Sequence, residues 1–185
     1  MTWNIVHLND VRPTPWRNGG GTTRELLAWP SSADWQWRAS VAEIVRPGPF
    51  SSLPGVQRYF AVLGGDGVCL TVDGYLHMLT TSDQPLAFDG AAVTICDLLG
   101  SATQDFNLMV QGGLAVRMLR VDGNCEVLTN APKIIAAYAH KQGATVQIGS
   151  EKHELSPYSF GWMQVGENTA IHVQASHALL MEMDI

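Results

Sequence analysis

The segment of residues 16–25, WRNGGGTTRE, combines residue types that are suited to binding an anion. Its three consecutive glycines, Gly19 to Gly21, allow backbone dihedral angles that other residues avoid, and they bring backbone N–H groups close to whatever lies beside them. Arg17 and Asn18 add a cation and a neutral hydrogen-bonding group. The segment also fits a structural role, a sharp bend leading into a strand with Trp16 as a plug in the core. The two interpretations are compatible.

The histidines do not form a metal-binding pattern. Three of the six lie late in the chain, at His153, His172 and His177. Residues five apart in a strand point to opposite faces, so His172 and His177 can share an ion only through a bulge. The sequence also lacks the G-x-S-x-G elbow, the phosphate-binding loop and the G-x-G-x-x-G turn. We expect neither a bound metal nor a cofactor.

The composition indicates a globular protein with an extensive core. Hydrophobic residues make up 46% of the 185 residues, and the net charge is -6 with the basic residues scattered, which argues against nucleic acid as a partner. No apolar stretch approaches the roughly 18 residues that span a bilayer, so no membrane partner is expected. Residues 1–11 lack an export signal, and the three cysteines form no C-x-x-C pair. These features predict a reducing, cytoplasmic location.

The chain is patterned for β-strands rather than for helices. Hardly any window keeps apolar spacings of three and four without an interrupting Gly, Pro or Asn. Short apolar runs are instead bounded by turn clusters such as residues 64–67 (GGDG) and 122–124 (DGN). Residues 134–141 fit either a short helix or a strand. Strands are predicted over residues 58–63, 68–72, 92–96, 114–121, 145–148 and 178–183, which is typical of a sandwich or barrel.

A weak internal repeat accompanies these strands. Residues 67–79 align without a gap with residues 143–155, and each copy reads as strand, tight turn, strand. The register matches Gly67 with Gly143, His77 with His153, Leu79 with Leu155 and, further on, Gly90 with Gly166. We interpret this as a duplicated antiparallel barrel half, with a chance match as the alternative.

Several ordered blocks make the sequence resemble the HutD/Ves family of bacterial proteins, one branch of which accompanies the enzymes of histidine utilisation. The resemblance spans most of residues 14–110, while the second half shows mainly the strand rhythm. Two positions depart from it: Gln111 to Gly113, where similar proteins tend to carry arginine, and Arg17, where lysine is common. The blocks are residues 16–25, 37–42 (WRASVA), 48–55 (GPFSSLPG) with Arg58, 88–90 (FDG) and 105–109 (DFNLM).

The resemblance implies an all-β double-stranded β-helix, a bicupin of two packed antiparallel barrels in one compact unit. We expect residues 1–185 to form this single unit, with an N-terminal cupin half of about residues 1–112 and a C-terminal half of about residues 113–185. The resemblance also implies that the metal usual in cupins is absent and that the fold holds a pocket for a small organic acid. No established reaction comes with the resemblance.

Arg58 is the first candidate for that pocket. A cupin motif carries two histidines, then a glutamate, then a glycine seven residues after it; counting back seven from Gly65 gives Arg58, and the histidine positions fall near Ser51 and Leu53. Neither of these is an ordinary metal ligand. At the glutamate position Arg58 would point into the barrel, where its guanidinium forms a rigid fork for a carboxylate. The alternative is an internal salt bridge to Glu25 or Glu43.

Around Arg58 we expect hydrogen-bonding groups from Asn18, Gly19, Ser40 and Asn107, apolar walls from Trp16 and Phe106, and the carboxylate of Glu25. Each has a structural alternative: a turn residue, a small side chain in a tight interior, or ordinary core.

Three functions are consistent with these residues. The favoured one is a non-catalytic protein that binds a small carboxylate, with urocanate or a formylglutamate-like acid implied by the resemblance, and that modulates histidine utilisation or a stress response. The second is an isomerase or hydrolase with Glu25 as general base, since two-residue alternation puts Glu43 opposite Ser40. The third is an interaction protein whose barrel edges pair with a partner or with a second copy as a homodimer.

Overall fold

The protein folds almost entirely as β-strands. The structure is a computed structural model that describes residues 3–185, and over those residues it contains 17 strands and one 3₁₀ turn, Leu8–Asp10. No helix of the described part is long and apolar enough to cross a membrane. The strands are β1 Asn4–His7, β2 Thr14–Pro15, β3 Gly21–Pro30, β4 Trp35–Ile44, β5 Gly48–Pro49, β6 Val56–Gly64, β7 Val68–Val72, β8 Tyr75–Leu79, β9 Leu86–Asp89, β10 Thr94–Leu98, β11 Thr103–Gln111, β12 Val116–Leu128, β13 Lys133–Ala139, β14 Ala144–Ile148, β15 Glu151–Leu155, β16 Ser159–Val165 and β17 Ala170–Asp184.

The all-β prediction is confirmed, and the segment left open between helix and strand is β13. Its Ala-rich sequence, KIIAAYA, gives no local reason to choose a strand. The choice comes from tertiary pairing, since β13 is hydrogen-bonded to β16 on one side and to β17 on the other.

The strands form two compact units. The N-terminal unit is Val11–Gly113, and the C-terminal unit is Leu114–Ile185 together with the described residues up to Asp10. The sequence-based halves differ from this division at residues 3–10. These belong to the C-terminal unit because β1 pairs antiparallel with β16, with Asn4 opposite Trp162 and His7 opposite Ser159.

The N-terminal unit is built from two sheets that enclose one core. The six-stranded sheet has the order β2-β3-β4-β11-β6-β9, and the four-stranded sheet has the order β5-β10-β7-β8. Two-residue alternation sends every second side chain inward, as in β7, where Val68, Leu70 and Val72 are buried and the intervening residues are partly exposed. The core contains Ile44, Phe60, Val62, Val68, Leu70, Val72, Leu79, Phe88 and Cys96.

The C-terminal unit is a seven-stranded sheet in the order β1-β16-β13-β17-β14-β15, with β12 also paired to β17. The hairpin register agrees with the internal repeat. In β14–β15 Ala144 lies opposite Leu155, and in β7–β8 Val68 lies opposite Leu79, which is the same pairing displaced along the chain.

Candidate functional site

Three neighbouring strands of the six-stranded sheet place the candidate residues in two rows. Asn107 on β11 lies opposite Ser40 on β4 and Phe60 on β6. The next row on the same face, two residues along each strand, contains Arg38, Met109 and Arg58. Since neighbouring strands are about 4.8 Å apart, two arginines flank Met109 at a Cα separation of roughly 10 Å.

These rows form one side of a cavity of about 460 Å³, a size that suits a small-molecule ligand. The segment before β3 and the segment after β5 supply the rest of the wall. The lining residues are Pro15, Trp16, Arg17, Asn18, Thr23, Arg38, Ser40, Ala42, Ile44, Pro49, Phe50, Ser51, Leu53, Arg58, Asn107 and Met109.

Arg58 is the buried cation of the cavity, only 6% exposed. Its Nη2 donates to Oδ1 of Asn107 at 3.0 Å, and its guanidinium carbon lies 4.6 Å from the ring centre of Phe50 and 5.3 Å from that of Phe88. Burial lowers the pKa of Arg58 to about 10, so the group stays charged at neutral pH. Its Nε–H has no hydrogen-bond partner.

The salt-bridge alternative for Arg58 is not realised among residues 3–185. Glu25 pairs with Arg38, whose Nε lies 3.1 Å from Oε2, although the two are not aligned as a linear hydrogen bond. Glu43 is exposed, as expected from its alternation with Ser40. Arg58 is therefore a buried positive charge whose structural partners are an amide oxygen and two aromatic rings.

The cavity lining is positively charged. It contains Arg17, Arg38 and Arg58 and no Asp, Glu, His or Cys. Glu25 lies behind Arg38 and compensates part of that charge. Because the whole chain carries a net charge of -6, this concentration of arginine in the lining does not reflect the overall charge.

The glycine segment shapes the wall through its own hydrogen bonds. The N–H of Gly19 donates to the carbonyl of Trp16 at 3.0 Å, and the N–H of Gly20 donates to Oδ1 of Asn18 at 2.9 Å. A Cβ on Gly21 would lie 2.2 Å from the carbonyl oxygen of Glu43, so only glycine fits there. The glycines thus form the predicted bend, and the amides of Gly19 and Gly20 are engaged within it rather than in an anion cradle.

Five of the eight predicted ligand residues line the cavity: Trp16, Asn18, Ser40, Arg58 and Asn107. The other three do not. Gly19 is a turn residue with a φ of 69°, and Glu25 contacts Arg38 outside the lining. Phe106 was expected as an apolar wall, but it neighbours Asn107 in the strand, so it faces the other side of the sheet, where it is fully buried.

Sequence reasoning missed Arg38, Phe50 and Met109. A signal for two of them was present, because residues two apart in a strand share a face. Arg38 precedes Ser40 by two residues, and Met109 follows Asn107 by two. Phe50 enters through the loop after β5, and only the tertiary structure shows it against Arg58.

The residues of the cavity do not fit the metal that many cupins hold. Positively charged arginines would repel a cation, and the lining supplies none of the usual metal-binding side chains. Elsewhere in the described part of the chain, no group of three or more His, Cys, Asp or Glu side chains could hold a metal ion.

The fold defines a cupin-like all-β protein. A cupin 2 conserved barrel domain protein from Leptotrichia buccalis superposes with a TM-score of 0.56 over 98% of this chain and 96% of that one, at 7% identity, which shows the fold alone.

The chain belongs to the HutD family, whose model matches residues 8–181. This family is tied to histidine utilisation. HutD from Pseudomonas fluorescens SBW25 is similar in structure, with a TM-score of 0.84 and 28% identity over 98% of both chains. An uncharacterised 21.2 kDa protein in the hutC 3' region of Pseudomonas putida is 32% identical over 157 residues, 83% of each chain. Protein Ves from Citrobacter koseri is 38% identical over 118 residues, 60% of this chain and 61% of that one.

Proposed function

We propose that this chain is a metal-free bicupin that binds a small organic acid in the cytoplasm through Arg58, and that it thereby modulates histidine utilisation or a stress response. The observation that carries the proposal is the state of Arg58: buried, charged and without an internal carboxylate. A buried charge of this kind is costly unless it is paired, and an incoming carboxylate would supply the pair.

The remaining lining suits a compact acid. Ser40 and Asn107 offer neutral hydrogen bonds beside Arg58, and Phe50 and Leu53 offer apolar contact. Urocanate and a formylglutamate-like acid are the candidate ligands for this chain.

A second cation distinguishes these two candidates. Arg38 faces the cavity in the same row as Arg58, with Met109 between them. A dicarboxylate such as formylglutamate can pair with both arginines, whereas urocanate has one carboxylate. We therefore expect the formylglutamate-like acid to bind more tightly.

The bicupin assignment rests on the two units. Each contains the same hairpin in the same register, β7–β8 in one and β14–β15 in the other. We propose that each unit is one cupin half. Only the N-terminal half carries the Arg58 cavity.

Catalysis, the alternative function, receives no support from the lining. A general base must reach the substrate, and Glu25, the carboxylate considered for that role, pairs with Arg38 and does not line the cavity. Binding without turnover is thus the better-supported function.

Ligand-induced stabilisation tests the proposal. The Tm of the wild-type protein and of Arg58→Lys would be measured with urocanate, formylglutamate, glutamate or imidazole propionate. Any acid that shifts the Tm would then be titrated by calorimetry. An acid at a hundredfold its Kd adds about 2.7 kcal/mol of stability, which corresponds to roughly 5–10 °C in Tm for a chain of this size. We expect Arg58→Lys to lose most of that shift, because lysine keeps the charge but not the fork.

Two further variants test the contribution of Arg38 to binding and provide a control. Arg38→Gln should weaken the dicarboxylate more than urocanate. Arg46→Gln removes an exposed arginine outside the lining and should leave binding unchanged. If no acid shifts the wild-type Tm, or if Arg58→Lys binds every acid as well as the wild type does, the proposal is wrong.

A further inference from the structure

Strand β8 ends the four-stranded sheet of the N-terminal unit, with β7 on one side and no described strand on the other. Three of its five residues are strongly exposed although they are apolar: Tyr75 at 75%, Leu76 at 72% and Met78 at 68%. An edge strand of this kind presents unpaired N–H and C=O groups together with an apolar surface, and natural proteins usually protect such edges with charges.

Further exposed apolar side chains lie on the outer face of the same sheet, although the partly exposed Thr71 separates them from the edge. Leu76 lies opposite Thr71 on β7, which in turn lies opposite Ile95 on β10, and Ile95 is also exposed. Val93, just before β10, is 72% exposed. The edge therefore shares this sheet with other exposed apolar residues and is not an isolated hydrophobic site.

The chain contains its own comparison for this edge. Strand β15 ends the sheet of the C-terminal unit and aligns residue by residue with β8 through the internal repeat. Its sequence is EKHEL where β8 has YLHML. Three charged residues, Glu151, Lys152 and Glu154, stand where β8 has Tyr75, Leu76 and Met78. The edge strand β15 is thus protected by charged residues, as is usual, whereas the edge strand β8 is not.

Charge and symmetry both favour a second copy of this chain as the occupant of β8. A two-fold interface places the same surface of both copies in contact, so a chain with a net charge of -6 can associate with itself best through an uncharged surface. Strand β8 carries no Asp, Glu, Lys or Arg. An antiparallel pair of β8 strands with His77 on the two-fold axis places Leu76 of each copy opposite Met78 of the other, so the apolar residues match.

We propose that β8 is the contact strand of a homodimer, in which the β8 strands of two copies pair antiparallel about His77 and extend the four-stranded sheet across the two-fold axis. The interface uses no residue of the Arg58 cavity lining, so it stands independently of the proposed function.

Two double variants test both the contact and its register. Leu76→Lys with Met78→Lys places like charges opposite each other across the axis, whereas Leu76→Lys with Met78→Glu places opposite charges there. Sedimentation equilibrium over a range of concentrations would give the dimer Kd. We expect the wild type to be dimeric, the double-lysine variant to raise the Kd at least about a hundredfold, and the Lys/Glu variant to stay within about tenfold of the wild type.

Glu154→Lys on β15 is the matched control, an exposed charge change on the equivalent edge, and it should leave the Kd unchanged. Circular dichroism and Tm would verify that each variant is folded, as expected for substitutions at exposed positions. A monomeric wild type would overturn the proposal and leave the edge to another partner. A dimer that survives the double-lysine change, or that is lost equally in both double variants, would overturn the β8 contact or its register.

Discussion

Asp105 is a fully buried carboxyl group on β11, two residues before Asn107 and on the same face of the strand. The hydroxyl of Thr103 donates to its Oδ2 at 2.7 Å, while Oδ1 has no hydrogen-bond partner. Burial raises the pKa of Asp105 to about 7, with the Thr103 hydrogen bond acting in the opposite direction. The interior beneath the Arg58 cavity is therefore apolar enough to favour a neutral carboxylic acid over a carboxylate.

The raised pKa of Asp105 makes stability depend on pH. Between the unfolded pKa of 3.8 and the folded pKa of about 7, the folded state holds the extra proton, so this group's contribution to stability falls as pH rises through that range. We expect Asp105→Asn to increase the free energy of unfolding by roughly 2–4 kcal/mol at pH 8, with a gain that shrinks toward pH 4. Urea unfolding at several pH values measures this.

Asp97→Asn, at an exposed carboxylate on β10, is the control and should show no such pH-dependent gain. An effect of Asp105→Asn that is equal at pH 5 and pH 8 would contradict the assignment.

Single residues show where the sequence was sufficient and where it was not. Arg58 could be found from its spacing to Gly65, and its burial confirms that it points inward. The block DFNLM contains Asn107, which lines the cavity, but it also led to the expectation that Phe106 lines it. Adjacent residues of a strand face opposite sides of the sheet, so Phe106 and Asn107 cannot both line the cavity.

At the scale of elements, the site depends on the close approach of the glycine segment to the end of β4. The carbonyl of Gly20 accepts hydrogen bonds from the N–H groups of Val45 and Arg46, at 2.9 and 3.3 Å, and the N–H of Trp16 donates to the carbonyl of Gly21 at 2.9 Å. Nε1 of Trp16 also donates to Oγ1 of Thr23 at 2.7 Å. These contacts hold the Trp16 ring at the cavity wall.

Two glycines of this segment should respond differently to a methyl group. At Gly21 a Cβ would collide with the Glu43 carbonyl, so Gly21→Ala must move β3 away from β4; we expect a loss of about 3 kcal/mol in the free energy of unfolding and weaker acid binding. At Gly19 a Cβ would meet nothing within 4 Å, and the φ of 69° alone costs about 1 kcal/mol. Urea unfolding of both variants would check the order; equal losses would argue against this packing.

The limits of sequence reasoning at this scale follow from how strands are specified. The β7 bounds could be predicted exactly, because turn clusters flank the strand at residues 64–67 and 73–74. Strand β12 continues past the predicted run at its C-terminal end, and β17 begins before the predicted run. The two strands pair with each other over most of their length, including segments that have no local strand pattern. Long-range pairing of this kind leaves no mark in a short window.

At the scale of the whole molecule, the two units differ in how they compensate a cation on the strand before the repeated hairpin. Strand β13 precedes the repeated hairpin in the C-terminal unit as β6 does in the N-terminal unit. On β13, Lys133 lies opposite Asp184 and forms an ion pair with it. Two residues before Asp184, Glu182 pairs with Arg117 at 3.2 Å.

In the N-terminal unit, the neighbours of Arg58 on β11 are neutral. Arg58 lies opposite Met109 on β11, and the residue two before Met109 is Asn107. Lys133 and Arg117 of the C-terminal unit thus have carboxylate partners, whereas Arg58 of the N-terminal unit has none among the described residues. The proposed function assigns that missing partner to a bound acid.

Giving Arg58 an internal carboxylate partner should abolish acid binding. Asn107→Asp keeps the side-chain shape and places a negative charge at the oxygen that is 3.0 Å from Arg58 Nη2. We expect the ligand-free Tm to stay level or rise, because the buried guanidinium gains a charged partner, and the acid-induced Tm shift to disappear. Asn107→Ser, which stays neutral, should retain a reduced shift. If Asn107→Asp still responds to acids as the wild type does, the uncompensated charge of Arg58 is not what recruits the ligand.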